Sequence, residues 1–198
     1  MLAKLGIPVT CSDIFGVGGS IWLDGLTLPQ PYAGKVASLR KVCALLATEI
    51  ALLDTAIAGM LDTDRGYRAI RALPGIGPVL GAVITAEIGD VTRFPGPAQL
   101  GSCAGLTPRH RESDTKISRG HITKQGSRIL RWALIEAIQH VPAGHPLRQR
   151  KEDIIARRGA QARNIAKVAM ARQLLTWVFY AMRDGQVRSL DAAARQAG

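Results

Sequence analysis

Aromatic side chains are scarce, at 5% of the chain, and no stretch alternates apolar and polar residues over the length of a strand. Both absences argue against a sheet-built fold, which relies on aromatic and β-branched residues for its pleated surfaces. Cysteine is limited to Cys11, Cys43 and Cys103, an odd number, far apart and without a CxxC pair. That excludes a disulfide framework and a zinc site built on paired thiolates, and leaves reduced thiols as the expectation. The four histidines, His110, His121, His140 and His145, lack metal-ligand spacing together with Cys or acidic partners. The N-terminus has no basic-then-apolar leader ending in a small-residue cleavage site. The longest apolar stretches are broken by Glu87 or by Arg172 and Gln173, so none is expected to reach the roughly 18 residues of a membrane span. A soluble, cytoplasmic protein without a membrane partner is the expectation.

Acidic residues are also in short supply, 15 against 26 Lys and Arg, for a formal net charge of +11. A globular chain this basic is suited to a polyanion; a solvated basic surface is the alternative. Hydrophobic residues make up 47% of the 198, enough to bury a sizeable core.

Most of the chain carries helical periodicity, and the expected fold class is mainly α. Residues 1–32, rich in Gly and Pro, read as an irregular lead-in. Residues 33–63 read as one long helix in which Val36, Leu39, Cys43, Leu46, Ile50, Leu53, Ile57 and Met60 recur at spacings of three and four. That is the heptad seam of a coiled coil, suited to homo-oligomerisation through residues 36–60. An amphipathic helix packed on its own domain is the other reading. Residues 64–185 read as a compact helical domain, and 186–198 as a frayed tail. Within that domain a short helix carries Tyr67, Ile70 and Leu73, a second starts at Pro78, and a third opens at Pro97. Residues 105–125 read as a long polar loop. Helices follow at about 127–141, 146–158 and 160–184, the last capped by Gly185.

Two segments carry chemistry. LPGIGP, residues 73–78, lies between two short helices and resembles a helix-hairpin-helix element. Gly75 and Gly77 would permit positive φ, and the amides around Gly75, Ile76 and Gly77 would face a phosphate at a helix N-terminus. Such contacts hold DNA without reading its sequence; a tight turn between packed helices is the plainer reading. The second segment, residues 105–131, places Arg109, Arg111, Lys116, Arg119, Lys124, Arg128 and Arg131 against only Glu112 and Asp114. Cations among hydroxyls suit a phosphodiester backbone. A serine here could attack phosphorus with arginines stabilising the charge, and Ser113, Ser118 and Ser127 are all candidates. Further on, Arg148, Arg150, Lys151, Arg157, Arg158, Arg163, Lys167 and Arg172 form a basic run that could track a DNA backbone or simply face solvent.

The frame from Leu73 to Val141, LPGIGP…AEIGDVTRFPGPAQLGSCAGLTPRHRESDTKISRGHITKQGSRILRWALIEA, resembles the C-terminal domain of the Piv/MooV class of transposases and DNA invertases. The preceding helix and the GVGGSIWLDGL stretch also fit that class. The resemblance implies an N-terminal RNase-H-like domain with four acidic magnesium ligands, which this chain is expected to lack. Asp13, Asp24, Glu49 and Asp54 are not a substitute, lying in the lead-in and on the long helix. No cofactor is expected on this chain alone, with Mg2+ entering through the acidic domain. The resemblance also implies a serine nucleophile between the Gly-Leu-x-Pro motif and the Lys-x-Gly-x-x-x-Leu-Arg helix start. That position falls on Ser113, followed by Asp114 where the family has Gly; Ser118 is the runner-up. Direction by a structured guide RNA is a further implication. The expected function is the DNA-binding, serine-bearing half of an insertion-sequence recombinase. A non-catalytic DNA-binding remnant and a structural RNA-binding protein are the alternatives.

Overall fold

The structure is a computed structural model that describes residues 2–113 and 116–187, with the side chains of 110–120 outside the description. Among the described residues, eight α-helices and one two-stranded antiparallel ribbon make a mainly α protein. The chain divides into two compact units, residues 1–53 and 54–198.

In the first unit, α1 spans Val17–Asp24, inside the segment read from sequence as irregular. Its buried Gly19 lies against the Asp13 carbonyl, where a Cβ would come within 2.3 Å, so that position admits only glycine. Helix α2, Tyr32–Leu61, follows. Arg40 donates to Ser20 Oγ at 2.6 Å and pairs with Asp24, and that guanidinium holds the Asp24 carboxyl below its ordinary range. No residue of α2 is buried. It is long and apolar enough to cross a membrane by length and composition, which corrects the expectation that no segment reaches that length. The apolar stretch continues through Glu49 and Asp54 because helical spacing keeps isolated charges from interrupting it.

The second unit is built around α8, Arg163–Asp184. Its buried Ala166, Met170, Ala171, Leu174, Leu175, Val178 and Phe179 recur at three- and four-residue spacing and present apolar surface to several neighbours at once. Helices α3 (Arg65–Arg71), α5 (Pro97–Cys103), α6 (Arg128–Gln139) and α7 (Pro146–Arg158) all pack against it, while α4 (Pro78–Ile88) packs on α3 and α6. The ends of these helices are set by local chemistry. Asp64 caps α3 by accepting from Tyr67 N at 2.7 Å, Pro78 and Pro146 occupy first helical positions, and Gly185 closes α8 in the left-handed region.

Residues 105–125 are not a structureless loop. Pro108–Ser113 (β1) pairs antiparallel with Lys116–Ile122 (β2). The segment lacks an alternating apolar face, so its strand character comes from the backbone ladder and leaves no periodic trace. At the root, Thr123 N donates to the Thr107 carbonyl at 2.9 Å and Lys124 N to that of Gly105 at 3.1 Å. Asp114 and residues 188–198, most of the expected frayed tail, lie outside the described residues.

Candidate nucleic-acid interface

The hairpin between α3 and α4 is fastened from below. Tyr67 is fully buried, and its hydroxyl donates to the Pro78 carbonyl at 3.3 Å, joining the two helices that flank the turn. Ile76 is buried in the core, so only the backbone of that residue is available to a ligand. Gly75 has φ of 79°, and a Cβ there would lie 2.0 Å from the Ala137 carbonyl oxygen. Its glycine identity therefore serves the close approach of the turn to α6, rather than space for a phosphate. Gly77 departs from expectation in another way: its φ is −83°, so no left-handed conformation is needed. It precedes α4 with open space around it and no side-chain cap on the helix. The exposed helix start directs amide dipoles outward.

The cations of the second segment separate by surroundings. Arg109, Lys124 and Arg128 are exposed and reach no acceptor among the described residues. Arg131 is half-buried and donates to the carbonyls of Ala104 at 2.9 Å and Ser127 at 3.4 Å. It braces the ribbon root against α6 through Nη1. Arg111, Lys116 and Arg119 lie on the ribbon, where the structure gives backbone register alone.

The serines also separate. Ser127 caps α6: its Oγ accepts from Leu130 N at 2.9 Å and donates to Glu87 Oε2 at 2.6 Å. Its proton and a lone pair are both engaged in holding α6 to the end of α4, which removes it from the nucleophile candidates. Ser113 is cross-strand from Lys116, and Ser118 from Arg111. Directly paired residues share a face and alternate residues return to it. Arg111, Ser113, Lys116 and Ser118 therefore occupy one face, with His110, Glu112, Ile117 and Arg119 on the other. Register alone does not choose between the two remaining serines.

Helix α6 adds a feature that its sequence was not read to contain. Ile129 and Trp132 are exposed, Trp132 at 52%. The signal was their offset from Leu130, Ala133, Leu134 and Ala137, which are buried and fill the inward stripe. An exposed indole one turn from Arg128 gives the ribbon root an aromatic element beside its cations.

In the basic C-terminal run, Arg148 is paired with Glu152 at 3.1 Å, and Lys167 donates to Gln139 Oε1 at 3.2 Å. Arg150, Arg158, Arg163 and Arg172 are exposed and engage no acceptor among the described residues. No three His, Cys, Asp or Glu side chains among the described residues are grouped so as to hold a metal ion. These residues do not fit a magnesium site.

Comparison with known proteins places this geometry. Residues 67–152, from the buried tyrosine of α3 to the middle of α7, match the family described as Transposase IS116/IS110/IS902 family. The chain is 29% identical to the insertion element IS110 uncharacterized 43.6 kDa protein of Streptomyces coelicolor, over 82% of this chain and 41% of that protein. It is 32% identical to the insertion element IS116 uncharacterized 44.8 kDa protein of Streptomyces clavuligerus, over 54% of this chain and 28% of the relative. A transposase for insertion sequence element IS1111A from Coxiella burnetii is 27% identical over 56% of this chain and 32% of its own length. The chain thus spans less than half the length of these relatives.

Proposed function

Because this chain belongs to the IS116/IS110/IS902 transposase family, we propose that it is the DNA-binding, serine-bearing part of an insertion-sequence transposase. The observation that carries the reading is the extent of the family match, which covers the hairpin, the ribbon and the root of exposed cations together. In this reading Arg109, Lys124, Arg128 and the α4 N-terminus hold phosphates, and the ribbon brings Ser113 to the scissile phosphodiester. The Ser113 oxygen bonds to phosphorus while the bond to one deoxyribose oxygen breaks. The serine gives up its proton, and the departing oxygen takes one. Arg111 and Lys116, on the same ribbon face by register, neutralise charge on the crowded phosphorus. The serine–phosphate linkage retains the energy needed for rejoining, which water as nucleophile would lose. Magnesium chemistry belongs to an acidic domain in the same or another chain. A structured guide RNA remains part of the proposed assembly.

Duplex DNA binding against salt concentration is the first test. Arg109→Ala, Lys124→Ala and Arg128→Ala should each weaken binding irrespective of sequence and lower the salt slope by about one. With the acidic domain supplied, Ser113→Ala should abolish strand cleavage and the covalent protein–DNA adduct while leaving affinity unchanged. Normal cleavage by that variant sinks the assignment of Ser113. A chain that binds structured RNA but no DNA sinks the DNA reading altogether.

A further inference from the structure

A cavity of about 650 Å3 lies beside the hairpin, between α7 and α8. Its floor is apolar, made by buried Leu73, Leu147 and Ala181. One wall is the half-buried indole of Trp177, which meets the His145 ring edge-on with centroids 6.2 Å apart and planes at 70°. The His145 ring is itself fixed, because its Nδ1 accepts from Leu147 N at 3.2 Å; the ring proton of the neutral imidazole therefore sits on Nε2. The polar groups on the lining with no hydrogen-bond partner among the described residues include the half-buried amide of Gln173 and the exposed guanidinium of Arg150, with the Tyr180 hydroxyl and the Gln186 amide at the rim.

We propose that this cavity binds one unstacked nucleobase of a single-stranded stretch of DNA, a reading that rests on the DNA-binding function above. Each part of the lining matches one part of a nucleotide. The apolar floor and indole accept a flat ring, and base–aromatic stacking is tolerant of base identity. A carboxamide offers a donor and an acceptor side by side, the pattern of a base edge, and it pairs best with adenine. Arg150 supplies the charge for the attached phosphate. A base inside a duplex cannot reach such a cavity, so the ligand is a nucleotide already unpaired or extruded. The volume falls within the roughly 300–1,000 Å3 of cavities that enclose small ligands. A wholly aliphatic partner would leave Gln173 and Arg150 without function, and a rigid duplex would leave the cavity empty.

The test compares the full chain on a short single-stranded oligodeoxynucleotide and on the matching duplex at one salt concentration. Trp177→Ala should lower single-strand affinity about tenfold or more with duplex affinity unchanged, and Trp177→Phe should restore most of the loss. Gln173→Leu, which keeps the packing, should also weaken single-strand binding and flatten the preference for adenine. Equal losses on both probes, or none on either, overturn the proposal. Duplex affinity in the unaltered chain tests the DNA-binding function, so a chain that binds duplex but no single strand refutes this inference alone.

Discussion

The hydroxyl of Thr85 is buried on α4 without a hydrogen-bond partner among the described residues. A buried, unpaired hydroxyl costs about 1–3 kcal/mol of desolvation with no return. Thr85→Val keeps the shape and removes that polar group, so it should raise unfolding stability by about 1 kcal/mol in a denaturant titration. A fall in midpoint would mean that the hydroxyl has a partner in solution. Ser127 is the opposite case, a hydroxyl with both functions engaged at a helix start. Composition offered three serines of equal standing, and local chemistry alone could not separate them. Ser127 is of a residue type favoured at helix starts, but its partner Glu87 lies forty residues earlier in sequence, and that contact is invisible without the fold.

Among elements, the helices after residue 32 were the readable part, whereas α1 and the ribbon were not. Pro146–Arg158 begins at its proline and ends before Gly159, both local signals. The 108–122 ribbon carries polar residues on both faces, so neither a strand nor a helix period marks it. The hairpin falls between these cases: its turn was legible from LPGIGP, whereas the reason for each glycine was not. Gly75 meets the Ala137 carbonyl of α6, a contact distant in sequence, while Gly77 is unconfined. Gly75→Ala should therefore cost about 2 kcal/mol or more, through positive φ and the clash together. Gly77→Ala should cost under about 1 kcal/mol. Thermal unfolding of the two variants side by side checks this, and equal effects would mean that the turn relaxes away from α6.

At the scale of the whole molecule, the apolar surface of α2 requires a partner. Leu39, Leu46, Ile50, Leu53 and Met60 are all exposed, Met60 at 81%, and such a stripe is unfavourable in water. A bilayer, a second copy of the helix and a further domain of the same protein are all environments that would cover it. Asp54 lies inside the apolar window, and an ionised aspartate at mid-bilayer costs about 2.5–3.5 kcal/mol. In a helix pair the same residue can stay at the solvent edge of the seam. The seam itself has Val36, Cys43, Ile50 and Ile57 at one heptad position and Leu39, Leu46, Leu53 and Met60 at the other. β-branched residues at the first of these positions with leucines at the second favour a parallel two-stranded coiled coil. Leu45 and Leu52 are also exposed but lie off that seam, so the apolar face is wider than a pair alone would cover. We therefore expect association in aqueous buffer, with a dimer as the smallest assembly seen by sedimentation equilibrium. Ile50→Glu combined with Leu53→Glu should return the mass to one chain without loss of the helical signal from residues 54–187. A single-chain mass for the unaltered protein, or a need for detergent to keep it dispersed, would instead assign α2 to a different environment.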